Sequence, residues 1–455
     1  MFANKKLKNI NQLLLITLFL TVPAMIVCSN YNGNIVKPNK IIFNNGSSNS
    51  YIQSAMQKTV NFDGLIDQTF GTLGSMYFST IAPASSGDIC NSIAIQTDGK
   101  IVMGGYTLFD DNYRRFAATR LNPDGSPDVS FGNNGLVYLN PIAPGSNNDL
   151  CNSIAIQPDG KIVMGGYTFL TDAGYRFAAA RLTTNGLPDI TFGGTGSMYF
   201  LNPIALDSAT DQCNSIKIQT DGKIVMGGIT AVDYNNRFAA ARLTTDGSLD
   251  TTFGSNGSVY LNRIATGSTN DECNSIALQA DDKIVMGGFT KLDNTSFRFA
   301  AARLNVNGSP DTTFGDNGSI YLEKIAPNST NEFCLSIAIQ KDGKIIMGGS
   351  TDGSTNNRNS YRNFSHGRFA IARLLLNGQL DPSFAYGGTL CLDRILFDDE
   401  SCNAIALQLN GKIVMGGYTN DTDHNYHFAA AQLINPITLQ GYQESYATVG
   451  AGIYS

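Results

Sequence analysis

Between Cys151 and Ile156, small and bulky side chains alternate, with Cys151, Ser153 and Ala155 on one side and Asn152, Ile154 and Ile156 on the other. Extended chain points successive side chains to opposite faces, so a period of two predicts a strand. The pattern stops at Asp159-Gly160 and resumes as Ile162-Val163-Met164. This predicts a hairpin in which both turn residues take positive φ. A third apolar run spans Arg176 to Leu182. After a further turn come Asp189, Phe192-Gly193, Gly196 and the short aromatic segment ending in Tyr199. Four strands joined by tight turns account for the block, and no helical period intrudes.

The block is written six times, opening at Cys90, Cys151, Cys213, Cys273, Cys334 and Cys402, with spacings of 61, 62, 60, 61 and 68 residues. Asp98-Gly99, Asp221-Gly222, Asp342-Gly343 and Asn410-Gly411 repeat the hairpin signal, and only Asp281-Asp282 departs from it. Four antiparallel strands in about sixty residues form a propeller blade. A solenoid would need caps at two open ends, whereas a propeller closes on itself. The chain ends fit closure: an orphan fragment, Asp63 to Tyr77, matches Asp246 to Tyr260 of a full repeat, while the sixth copy stops near Leu433. The prediction is an all-β, six-bladed propeller of four-stranded antiparallel blades, closed by an N-terminal strand near Met76 to Phe78 that completes the last blade.

These residues carry a family resemblance. The tandem unit with Asp-Gly-Lys-Ile-Val-x-Gly-Gly and Asp-x-x-Phe-Gly-x-x-Gly resembles the delta-60 repeat, an uncharacterised β-propeller repeat of exported bacterial proteins. The resemblance covers about 375 residues. It implies a propeller fold and a bacterial, extracytoplasmic setting, and it brings no activity, catalytic residue or cofactor.

Composition narrows the setting. The 455 residues include 47 glycines, no tryptophan and only 15% charged residues, which suits a turn-dense β protein outside the cytoplasm. A net charge of −6 without any basic stripe argues against nucleic acid as partner. Lys5, Lys6 and Lys8 precede an apolar run from Leu13 to Val27, the layout of an export signal too short to span a membrane. The expected organisation is a signal peptide over 1–29, an Asn- and Ser-rich spacer over 30–58, the propeller over 59–433 and an unassigned tail over 434–455. Contact with a membrane is expected only through the signal or a lipid on Cys28, although Met25-Ile26-Val27 lacks the small residue that normally precedes a lipidated cysteine. The destination is the periplasm, the cell surface or the medium, and the protein is expected to be monomeric.

Six of the cysteines share one repeat position, so symmetry places them on separate blades, and a disulfide tolerates only about 7 Å between Cα atoms. Buried thiols at the contacts between sheets are expected. Cys391 lies off the repeat, within reach of Cys402. The recurring Gly-Gly pairs predict close packing or a bulge.

Two sets of acids hold fixed places. Asp88, Asp149, Asp211, Asp271, Glu332 and Glu400 stand two residues before the opening cysteines. They share an end of the blade with Arg115, Arg176, Arg237, Arg298, Arg368 and, exceptionally, His427. One reading is a ring of carboxylates at a channel mouth that holds Ca²⁺ or a basic partner. The other is a brace within each blade from acid to arginine, or an Asx-type cap. Asp67, Asp128, Asp189, Asp250, Asp311 and Asp381 form the second set at the opposite end. They lie with Arg120, Arg181, Arg242, Arg303, Arg373 and Gln432, and with hairpin lysines such as Lys161. Repetition in every blade suits a structural brace, because an active site needs one unique constellation.

Little breaks the repeat. His424 and His427 beside Asp421 and Asp423 loosely resemble a metal cluster, but a loop this polar reads as solvated. No catalytic residue, metal site or cofactor is assigned. The main irregularity is an insertion in the fifth copy, Thr351 to Gly367, with Arg358, Tyr361, Arg362, Phe364 and His366. It is expected to project from the face of the first acid set and to serve with those acids as an interaction site. The leading expectation is an exported, non-catalytic scaffold for a protein or envelope component. The alternatives are a hydrolase or lyase at the channel mouth, using the acids with Arg368, His366 and His427, and a Ca²⁺-dependent adhesin.

Overall fold

The Asp-Gly turn shows how local chemistry starts each blade. In the computed structural model Gly160 alone takes positive φ, at 81°. Gln157 N–H donates to Lys161 C=O, and Gly160 N–H donates to Gln157 C=O. The loop therefore holds three residues, a type I turn closed by one left-handed glycine, rather than the two-residue turn expected. Where the glycine is absent, Asp282 adopts φ of 60°, and its carboxylate accepts from Thr220 N–H and Thr220 Oγ1 of the preceding blade. Cross-blade bonds thus accompany a conformation that an ordinary side chain disfavours.

The structure describes residues 67–73, 75–109, 113–292, 295–327, 329–352, 367–392, 399–420 and 426–434. All of them lie in one compact unit, Ile66–Ser455. Export signal, spacer, Cys28 and C-terminal tail fall outside the described residues. The molecule is an all-β, six-bladed propeller of antiparallel sheets. Blade 2 is representative: Asp149–Ile156, Ile162–Leu170, Gly174–Leu182 and Ser197–Tyr199 pair in sequence order. First strands of successive blades touch one another, so they are the innermost.

Each first strand carries a bulge between its cysteine and the residue two positions later, as between Cys151 and Ser153. The bulge requires the second glycine of the Gly-Gly pair, since a Cβ on Gly166 would lie 1.8 Å from Leu150 C=O. The first glycine admits the neighbouring blade, because a Cβ on Gly165 would lie 2.2 Å from Ile216 Cγ2. Both expected reasons for the pair therefore hold, one for each glycine. The bulged asparagine reaches across: Asn152 Nδ2 donates to Cys213 C=O at 3.0 Å, and Ile216 N–H donates to Ser153 Oγ at 3.1 Å.

The core lies between blades rather than within them. Phe177 and Phe192 of blade 2 pack with Cys213, Ile216 and Met226 of blade 3, all fully buried. Burial pushes the Cys151 thiol up to about 12, and none of the described cysteines forms a disulfide. Cys391 and Cys402 are not joined.

The facing sides of the sixth and first blades do not repeat the packing of the five joints. Phe428 is fully exposed, whereas its counterparts Phe116, Phe177, Phe238, Phe299 and Phe369 are 0% exposed. The orphan segment does dock as a preceding blade would: Gly71 N–H donates to Asp124 C=O at 2.7 Å, as Gly132 N–H donates to Asn185 C=O at 2.8 Å. Phe70 sits under Gly125 as Phe131 sits under Gly186. Met76 to Phe78 form no strand, and the described part of the sixth sheet has three strands, Glu400–Leu407, Ile413–Asn420 and Tyr426–Leu433. The orphan is thus anchored through its Phe-Gly turn to blade 1, not through strand pairing to blade 6.

Candidate functional site

The start of the first strand, the end of the second and the start of the third meet at one end of each blade, as the pairs Asp149–Thr168 and Thr168–Arg176 show. The first acid set lies here and is sealed. Asp149, Asp211, Asp271 and Glu332 are 0% exposed and Glu400 is 1% exposed, while Asp88 is half-buried. Asp149 accepts from Ile142 N–H at 3.1 Å, Ser146 Oγ at 2.6 Å and Thr168 Oγ1 at 2.5 Å. The same cage surrounds Asp211. Each carboxylate ties the linker between two blades to the blade that follows.

The arginine partner comes from the neighbouring blade. Arg115 of blade 1 lies 3.7 Å from Asp149 of blade 2, and Arg176 of blade 2 lies 3.9 Å from Asp211 of blade 3. The brace expected within each blade runs between blades instead, because the third strand of one blade and the first strand of the next converge at this end. Burial outweighs the hydroxyl, amide and arginine contacts and raises the Asp211, Asp271 and Glu332 carboxyls above their ordinary values. Five of the six carboxylates proposed to ring a channel mouth are therefore turned inward as joints. Among the described residues no group of three or more His, Cys, Asp or Glu could hold a metal ion.

The second acid set brackets the opposite end. Asp189 receives Arg181 Nε at 2.8 Å, Lys161 Nζ at 3.2 Å and Thr191 Oγ1 at 2.7 Å. Arg181 also donates across the joint to Thr245 C=O and lies over the Phe192 ring at 4.8 Å. Burial alone would raise the carboxyl, but Thr191, Lys161 and Arg181 together hold Asp189 at about 2. The same arrangement recurs at Asp128, Asp250, Asp311 and Asp381. Asp67 is exposed and is capped by Thr69. Gln432, where the sixth blade lacks arginine, bonds Lys412 and Gln408.

The end with the buried acids is the one that varies. Around it stand Tyr106 with Arg114 over its ring at 5.9 Å, then Tyr167, Phe169 and Tyr175 with edge contacts of 5.1 to 5.3 Å. Phe289, Phe297 and Phe333 follow, and then Tyr418 with Tyr426. Ile229 and Ser350 fill the equivalent second-strand position in blades 3 and 5. Tyr426 is 68% exposed and Tyr113 is 42% exposed, and most of the remaining collar is half-buried. This collar was missed in the sequence because each aromatic is an ordinary strand residue there; comparing the six copies at one position would have exposed it. The insertion leaves from the same end, at Asp352, and returns at Gly367. Arg358, Tyr361, Arg362, Phe364 and His366 lie outside the described residues, as do Asp421, Asp423 and His424; His427 is exposed.

One further departure lies on the innermost strands. Lys217 stands where Ala94, Ala155, Ala277, Ala338 and Ala406 stand in the other copies. Solvent reaches its side chain, yet the crowding protein displaces enough water to push its ammonium below the usual lysine value.

Five stretches, 96–131, 157–192, 219–253, 279–314 and 340–384, match the family described as a domain of unknown function (DUF5122) beta-propeller. They support an uncharacterised β-propeller repeat. No curated protein matches the chain. Among solved structures it is similar to a protein of unknown function from Dyadobacter fermentans DSM 18053, at 15% identity over 75% of this chain and 92% of that one, with a TM-score of 0.42. It is also similar to the PQQ-bound aldose sugar dehydrogenase of Streptomyces coelicolor, at 12% identity over 77% and 95%, with a TM-score of 0.39. The polysaccharide lyase Uly1 matches at 11% identity over 88% and 90%, with a TM-score of 0.39.

Proposed function

We propose that this protein is an exported, non-catalytic binding scaffold for a protein or another component of the cell envelope or its surroundings. Its working face is the end that bears the aromatic collar. The observation that carries this reading is the variety of the collar, where Tyr106, Tyr167, Ile229, Phe289, Ser350 and Tyr418 share one strand position, while the opposite end repeats one Arg-Asp-Lys-Phe arrangement through blades 1 to 5. Rigid strands that present variable, partly exposed aromatics suit recognition, because such side chains supply contact area at little entropic cost. Export rests on Lys5, Lys6 and Lys8 followed by the apolar run to Val27. A hydrolase or lyase built on the first acid set would need a carboxylate open to substrate, and five of the six are sealed among hydroxyls and amides.

The test is a pull-down of the mature domain against envelope and host-surface extracts, with wild type beside a Tyr167→Ala/Tyr175→Ala variant and a variant shortened across 353–366. A partner lost with either variant supports the reading and locates the face. A partner held equally by all three moves the site elsewhere, and turnover of a polysaccharide by the purified protein would overturn the non-catalytic assignment.

A further inference from the structure

The spacing from Cys151 to Cys213 is one residue longer than that from Cys90 to Cys151, and the extra residue has a place in space. In blades 1, 3 and 4 the outer-strand tyrosine is followed by one buried leucine, Leu139, Leu261 or Leu322. In blade 2 Phe200 takes that buried place, at 7% exposure, and Leu201 is the addition, at 73% exposure. Beside it lies a cleft of about 1030 Å³ between the outer strands of blades 2 and 3, reaching the turn of blade 4. Tyr260, whose strand partner Ala239 faces blade 2, lines it together with Asn202, Asn256 and Asn307, and no Asp, Glu, Lys, Arg or His takes part. The Tyr199 ring lies on the other face of its sheet, against the core between blades 1 and 2.

That lining selects a ligand class. Tyrosine rings offer faces on which the C–H side of a pyranose can stack, and carboxamides donate to and accept from hydroxyls in the same plane. A charged ligand would shed water here without gaining an ion pair, and a purely apolar one would leave the amides unsatisfied. The volume lies at the upper end of what small-molecule sites of about 300–1,000 Å³ use. We infer that the cleft between the outer strands of blades 2 and 3 binds a neutral oligosaccharide, stacked on Tyr260 and held by Asn202, Asn256 and Asn307. The site is separate from the aromatic collar, so either reading can fail alone.

The experiment uses the mature protein on immobilised gluco-, manno- and xylo-oligosaccharides beside uronic-acid and sulfated ones, at low and high salt. Wild type, Tyr260→Ala, Asn202→Ala and Tyr321→Ala are compared, each with its melting temperature. The expected result is salt-insensitive retention on one or more neutral series. Tyr260→Ala should weaken it about tenfold, the scale of one lost aromatic contact, while Tyr321→Ala, the equivalent outer-strand tyrosine of blade 4, leaves it unchanged. Asn202 is exposed, so its variant keeps the test decisive should a tyrosine variant unfold. Retention on anionic series alone, retention that salt abolishes, equal retention by all variants, or none on any neutral series would each overturn the inference.

Discussion

Asp189 and Asp211 are both carboxylates beside an arginine, one at each end of the propeller, and their surroundings treat them oppositely. Asp189 sits 2.8 Å from Arg181 with a lysine and a hydroxyl in support, and its carboxyl is held at about 2. Asp211 is 3.9 Å from Arg176, fully buried and served by neutral donors, and its carboxyl is raised. Close, charge-assisted bonds outweigh desolvation at the first site, and desolvation wins at the second. One end of each joint is an ionic rivet. The other is a hydrogen-bonded stitch, and that end also tolerates the variable collar around it.

The largest expected effect comes from breaking the rivet. Arg181→Met takes from Asp189 its closest cation, leaving Lys161 and Thr191, and removes a bond across the joint, and should cost about 3 kcal/mol in urea unfolding. Arg176→Met, at the other end, should cost less than half of that. Equal losses would erase the contrast.

Acid sharpens it further. Asp189, Asp250 and Asp381, each near 2, release less proton-binding capacity to the folded state than to the unfolded one, whose aspartates titrate near 3.9. Their stabilisation is therefore complete above about pH 4 and is lost as pH falls toward 2. Melting temperature should drop steeply across that window, and Asp189→Asn should flatten the drop while lowering the plateau above it.

Asp211 carries the opposite sign. Its folded form keeps the proton longer than the unfolded chain does, so its contribution declines as pH rises from about 3.9 through the raised value. Asp211→Asn should remove that decline, with a net change at neutral pH within about 1 kcal/mol because the amide can still accept from Ser208 and Thr230. A loss as large as that of Arg181→Met would show that the stitch depends on charge. The smallest expected effect on stability is that of Tyr167→Ala with Tyr175→Ala, about 1 kcal/mol or less for each half-buried ring. Binding, rather than melting, should register this change.

Much of this was legible in the chain. Alternation, the Asp-Gly turns and the six recurring cysteines specify the strands, their order and the blade count, because these are local or periodic properties. The Gly165-Gly166 pair implies close packing and a bulge in kind, and it takes Leu150 on the same sheet and Ile216 on the next to show which glycine does what. Asp159-Gly160 is compatible with two loop lengths, and only the bonds of Gln157 choose between them.

The sequence by itself determined a repeated four-stranded unit with an acid and an arginine at both of its ends and an orphan fragment ahead of the first copy. Tertiary structure alone decided that Arg115 serves Asp149 rather than Asp88, that five of the first six acids are sealed while most aromatics around them stay half-exposed, and that Phe70-Gly71 docks on blade 1. Each of these is a relation between neighbouring blades, and the spacing of a repeat along a chain carries no information about which copy's side chain closes the gap to the next.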